Sequence, residues 1–451
     1  MGMVRDMHLF EKKTAMLHNR RTKQSYYIFY LLPYFFIVDQ LLLPTFHYNL
    51  IPFKGSYFIL IGWFFLFLYR QLVLNKRSIS DSDFISLGFL FLLLISITFL
   101  GQIWVFFYYN IIGWKEFSQC SLFAFLFSLF AFGYGTHIKS FNFRFLIYVA
   151  YVYIILTLIM ILFFNAFHFL VYLYYGGIGN ASLNNSYYAL SLTRSIGLFG
   201  NPDVSMSMLN TIFLFIILAY KNIILIIKKI ELISLVFFIF FMAVLFQSRD
   251  ELIASTLYLI FLIYFILRQN KQSFYLKTIK ICLCVFSLLL LLFVLIYFLN
   301  LLHGGAYLTS FIKRWTQVHI NYTVGAYSIF GRPFLEFFDV WNRFIKSPLV
   351  GTGYGVSNVF PFQFDSSWGH NDFFRILSSA GVLGLLVWLI ILWRCYTVGG
   401  LIVLIPFFTS GLTNTFIGNI PVMLFYFFMI GIFNRYKRMQ YQANLIAKLN
   451  I

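Results

Sequence analysis

Six arginines, Arg194, Arg249, Arg314, Arg332, Arg343 and Arg375, and one histidine, His370, are the side chains of this sequence best suited to chemistry. All seven fall in polar segments beside or between long apolar runs. A planar guanidinium presents fixed donors that match phosphate oxygens in bidentate geometry, and several of them converging hold a diphosphate without a metal. Arg249 and Arg375 lie within about a turn of an apolar run, where a charge costs something like 2.5 to 3.5 kcal/mol at mid-helix and less toward the interface. Each must therefore have a partner. For any one arginine an ion pair with Asp203, Asp250, Glu251 or Asp372 serves as well; for the whole set, an anionic ligand is the better expectation.

His370 stands in WGHNDFF, where the last strongly polar stretch enters an apolar run. A lone histidine is more often a satisfied hydrogen-bonding residue than a catalyst. Here Asn371 and Arg375 are four apart and share a helical face, so one helix start is expected to present imidazole, amide and guanidinium together toward the exterior, with its own N-terminal amides favouring anions. Asp365 and Asp372 are further candidate bases. No phosphate-cradling loop, zinc-ligand spacing or acidic cluster suited to magnesium is present, so no metal and no cofactor is expected, and the substrate must arrive already activated. The four cysteines, Cys120, Cys282, Cys284 and Cys395, lie in or beside apolar runs and read as buried small apolar residues.

The elements that carry these residues follow from composition. Of 451 residues, 61% are hydrophobic and 10% charged, which cannot build a water-soluble surface. Apolar runs of roughly 17 to 25 residues recur, each long enough to cross about 30 Å of hydrocarbon as a helix. About a dozen spans are expected, near 25–44, 57–74, 84–108, 119–136, 145–168, 205–220, 231–246, 251–267, 279–300, 372–393, 399–412 and 418–434. With both termini inside, the inner segments hold 23 of the 33 Lys and Arg and the outer ones 10, as the positive-inside rule requires. That asymmetry accounts for most of the net charge of +19 and removes the need for a nucleic acid partner.

The chain thus divides into helices 1–9 over residues 1–300 with an outward loop at 169–204, a large outward loop at 301–371, and helices 10–12 with an inner tail over 372–451. Within the large loop, residues 334–345 place Phe334, Phe337, Phe338, Trp341, Phe344 and Ile345 at helical spacing, an amphipathic helix able to lie on the membrane or cap a cavity. Ser347 and Pro348 stop it, and the glycine-rich 351–355 is expected to turn tightly.

Three blocks of this sequence resemble the O-antigen polymerase and O-antigen ligase superfamily of polysaccharide assembly. They are Arg194 with GLFGNPD at 197–203, QSRDELIAS at 247–255, and the stretch from Arg332 through SPLVGTGYG at 347–355 to HNDFFRILSSAGVLGLL at 370–386, together covering roughly 190–390. The resemblance implies a glycosyltransferase C-type fold in the bacterial inner membrane, with the large periplasmic loop over a cavity open to the bilayer. It implies that Arg194, Arg249 and Arg332 hold the diphosphate of an undecaprenyl-linked oligosaccharide and that His370 acts as base. Arg375 stands where polymerase-like members often have an arginine; Asn201, Asn371, Arg314 and Arg343 are secondary positions. Ser378 and Ser379 replace an acidic residue frequent in the family.

The expected reaction is polymerisation of lipid-linked repeat units, in which an acceptor hydroxyl displaces the lipid diphosphate in one inverting step. A chain-length regulator is a possible partner. The competing readings are a ligase that transfers the glycan to lipid A-core and a non-enzymatic transporter of lipid-linked sugar or solute. Transport calls for ionisable pairs at span centres, and none is legible in the sequence.

Overall fold

The computed structural model describes residues 31–43, 46–48, 51–74, 79–109, 123–138, 140–162, 202–222, 227–246, 248–269, 340–353, 371–413, 416–417 and 419–449, with scattered residues between 283 and 326. These are overwhelmingly helical. The described helices are α1 (Leu31–Leu41), α2 (Gly55–Leu72), α3 (Ile79–Tyr109), α4 (Phe127–His137), α5 (Arg144–Leu162), α6 (Pro202–Lys221), α7 (Lys229–Phe246), α8 (Arg249–Gln269), α9 (Asp372–Gly399), α10 (Ile405–Thr413) and α11 (Ile420–Leu449). Two short antiparallel pairs accompany them: β1 (Phe46–Tyr48) with β2 (Ile51–Phe53), and β3 (Ile320–Asn321) with β4 (Gly325–Ala326).

Four of these helices are long and apolar enough to cross a membrane: Gly55–Leu72, Ser82–Tyr108, Asp203–Lys221 and Asp372–Gly399. Shorter apolar helices lie at Leu31–Leu41, Phe123–His137, Arg144–Ile159, Glu231–Phe246 and Leu401–Gly411. Each overlaps a span expected from hydropathy. Of the expected span 279–300 only scattered helical residues are described, and of the amphipathic helix only the last turn, 340–344.

Packing separates inner helices from outer ones. Along α11 every residue from Val422 to Phe433 is buried, and α6 is almost as enclosed, so both read as apolar all round. In contrast α2 and α3 expose Phe58, Phe65, Leu72, Phe89 and Phe107, a surface suited to lipid and not to water. α4 and α11 are the most closely packed pair, and glycine makes this possible. A Cβ on Gly135 would lie 2.1 Å from the Phe428 carbonyl oxygen, and one on Gly431 would lie 2.2 Å from that of Phe132. Small residues at such crossings let backbones touch where the bilayer supplies no hydrophobic drive between helices.

The ends of the bundle differ in charge. At one end Arg438 and Asn434 engage Asp83, Arg70 approaches His137 at 3.4 Å, Arg435 donates to the Thr136 carbonyl at 3.1 Å, and Lys221 and Lys437 reach carbonyls near the end of α9. The opposite end gathers the starts of α2, α6, α8 and α9. There Lys54 closes α1: its ammonium donates to the carbonyls of Asp39 at 2.6 Å and Leu43 at 2.8 Å, complementing the negative end of that helix. Asp39 Oδ2 in turn accepts from the Ser56 amide at 2.8 Å. Burial pushes the Lys54 ammonium down to about 8, against the opposing pull of the Asp39 carboxylate.

Candidate functional site

The site is organised by a break in α9. Gly381 sits at φ 64° and ψ −164°, outside helical space, so the helix runs from Asp372 to Ala380 and resumes at Val382. A break in a membrane span exposes carbonyls and amides that lipid cannot satisfy. The segment 347–353 satisfies them. The amides of Thr352 and Gly353 donate to the carbonyls of Ser378 and Ser379 at 2.8 and 2.9 Å, and the carbonyls of Pro348 and Leu349 accept from Val382 and Leu383 at 2.9 and 3.2 Å. The Thr352 hydroxyl adds a second bond to the Ser378 carbonyl at 3.1 Å. Gly351 and Gly353 take φ of 73° and 70°, which only glycine adopts without strain, and are lodged in the helix break; the rest of the tight turn expected at 351–355 lies outside the described residues. Gly101 of α3 completes the fit, since a Cβ there would lie 2.8 Å from the Gly353 nitrogen.

The half-helix above the break begins at Asn371. Its Oδ1 accepts from the amides of Phe373 and Phe374 at 3.0 and 3.1 Å, a regular N-cap. Next comes Asp372, fully buried, whose Oδ2 accepts from the Phe416 and Ile417 amides at 2.9 and 3.1 Å and so ties α9 to the turn before α11. Arg375 is 5% exposed, one turn from Asp372 and close enough for its charge to act on that carboxylate. The hydroxyls of Ser378 and Ser379 donate to the Arg375 carbonyl at 3.1 and 2.7 Å. The two serines that stand in place of an acidic residue therefore knit the half-helix to itself and to the inserted turn. Asn371 and Arg375 do not open to the exterior as expected from their spacing: both are enclosed, and the amide oxygen of Asn371 is committed to the cap.

A second polar centre lies beside the first. Glu251, in the first turn of α8, is 2% exposed; its Oε2 accepts from Asn210 Nδ2 of α6 at 2.7 Å and its Oε1 from the Ser410 hydroxyl of α10. Asn210 also donates to the Glu251 carbonyl at 2.8 Å, Ser255 donates to Asn210 Oδ1 at 2.7 Å, and Ser207 lies 3.4 Å from Ser410. On the next residue of α10, a Cβ added to Gly411 would lie 3.2 Å from Asp372 Oδ2. Glu251 and Asp372 thus flank the same short helix. No such centre was legible in the sequence, where Glu251 read as an ion-pair partner for arginine. The serines and asparagine that hold it come from separate helices with no motif linking them.

Of the expected site residues, Arg249 is placed by its backbone as the first residue of α8. Arg343 is half-buried in the turn at 340–344, next to the inserted segment, with Trp341, Ile345 and Leu349 exposed around it. Arg249 and Arg375 stand in the first turns of α8 and α9, which flank α10, and Arg343 precedes the segment lodged in the α9 break. His370, Arg194, Arg332, Arg314, Asn201 and Asp365 lie outside the described residues, as do Cys120, Cys282 and Cys284. Cys395 is buried and free, as its apolar setting implied. Among the described residues no group of His, Cys, Asp and Glu is arranged to hold a metal. Comparison with protein-family models, with curated proteins and with solved structures returns no match to this chain.

Proposed function

We propose that this chain is a twelve-span inner-membrane glycosyltransferase of the C-type fold that polymerises undecaprenyl-diphosphate-linked repeat units at the periplasmic face. The observation that carries the reading is the capped half-helix of α9, with Arg375 buried in its first turn. Guanidinium groups and helix amides held in a water-poor setting stabilise a departing diphosphate far better than they would in water. Arg194 and Arg332 complete the diphosphate grip in this reading. His370, one residue before the Asn371 cap, accepts the proton of the attacking hydroxyl, and a single displacement at the anomeric carbon inverts its configuration. General-base help of this kind contributes about 10² to 10⁴ in rate.

The test is reconstitution with one lipid-linked repeat unit and no other acceptor. The wild-type protein should give a ladder of lengths, and His370→Ala should slow it by about 10² or more. A single product that requires lipid A-core would move the assignment to the ligase.

One observation favours transport as a second reading. Discontinuous spanning helices and carboxylates buried within the bundle are common in transporters, and both the break in α9 and Glu251, held among the described residues by Asn210 and Ser410, fit that description. Retained uptake by Arg194→Ala and His370→Ala variants, with no glycosyl transfer by the parent, would establish it.

A further inference from the structure

Glu251 is nearly sealed from solvent at the junction of α6, α8 and α10, and among the described residues its side-chain bonds go to neutral groups, Asn210 and Ser410. Among the described residues the titratable groups facing it are Asp203 of α6 and Asp250 and Tyr258 of its own helix; α10 brings only hydroxyls. None of these supplies positive charge, and the two aspartates oppose a negative one. A carboxylate so placed cannot stay ionised and uncompensated, because the cost of burying a bare charge far exceeds what two neutral hydrogen bonds return. The polar groups linked to it are uncharged: the Ser410 hydroxyl bonds its Oε1 and lies 3.4 Å from the Ser207 hydroxyl, and Asn210, whose Nδ2 bonds its Oε2, accepts from the Ser255 hydroxyl on Oδ1. Hard oxygen donors are what protons and alkali cations share as partners. One turn earlier, the Ser248 hydroxyl is buried with no hydrogen-bond partner among the described residues.

We infer that Glu251, with Asn210, Ser207, Ser255 and Ser410, is a buried seat for one exchangeable monovalent cation, a proton or a sodium ion. Occupation neutralises the carboxylate and lets the three helices pack; loss of the cation leaves a charge that pushes them apart. The inference is independent of the glycosyltransferase reading.

Thermal unfolding of the purified full chain in detergent tests it, measured from pH 6 to 9 in choline chloride and in sodium chloride. If the cation is a proton, the wild-type Tm falls as pH rises in either salt; if it is sodium, added NaCl at pH 8 raises Tm saturably and choline chloride does not. Glu251→Gln, isosteric and neutral, should lose that dependence while its Tm at high pH without sodium lies above that of the wild type. Infrared difference spectra of the wild type provide a readout that needs no variant: a protonated-carboxyl C=O band should disappear on raising pH, or a carboxylate band should shift on adding sodium. Equal pH and sodium responses in wild type and Glu251→Gln, or spectra with neither change, would overturn the inference.

Discussion

Arg375 carries most of the meaning of the site at the level of single residues. Its guanidinium is buried one turn into a capped helix, where a forked donor is worth more than in water. Arg375→Ala should lower chain elongation by about 10² to 10³, the usual effect of deleting one preorganised donor. Arg375→Lys keeps the charge but not the fork and should recover only part of the rate. Single-turnover kinetics on lipid-linked repeat units check both. Lys54 makes a different prediction, about stability. The folded chain releases its proton near pH 8 while the unfolded chain holds it to about 10.5, so between these values the unfolded state binds more protons. Stability from this residue therefore rises with pH across that window. The Tm of the wild type relative to that of Lys54→Met, in which every other titrating group is shared, should therefore rise from pH 8 to 10.

The break in α9 is the element on which the architecture turns. Its freed groups are taken up by a turn that approaches to backbone contact, so the break and the turn exist only together. A Cβ on Gly381 would lie 2.4 Å from the Leu349 carbonyl, and φ of 64° with ψ of −164° is itself hostile to a side chain. Gly381→Ala should cost on the order of 1 to 3 kcal/mol from backbone strain, with the overlap added. Hydrogen exchange should then speed up at the Thr352 and Gly353 amides before α9 itself is affected. Arg375 would lose its fixed place without being mutated.

The whole molecule has a cationic end, where Arg70, Arg435 and Arg438 sit, and an opposite end where α6, α8 and α9 begin. In the proposed orientation the cationic end faces the cytoplasm, as the distribution of Lys and Arg requires. Tyr108, at the end of α3 remote from Asp83, and Tyr441, just beyond Arg438, are both well exposed and belong to opposite ends. With native cysteines removed, Tyr108→Cys should react with an impermeant thiol reagent from outside intact spheroplasts, and Tyr441→Cys only after lysis. Labelling of Tyr108→Cys from the cytoplasm alone would reverse the orientation and end the proposed function.

Much was legible in the sequence because it depends on neighbours along the chain. Span length follows from the thickness of hydrocarbon, so apolar runs located α2, α3, α6 and α9; the Asn371 start of α9 and the positive φ of Gly351 and Gly353 likewise answer to local backbone needs. Which helix faces meet is another matter, since in a chain this apolar nearly every face is equally oily and periodicity loses its power to point inward. Only tertiary structure could join Glu251 to Asn210, 41 positions away, and to Ser410, 159 positions away, or lodge Thr352 against Ser378 in a break 26 positions on. Those partnerships arise because polar groups shut away from water must find one another in space, whatever their separation along the chain.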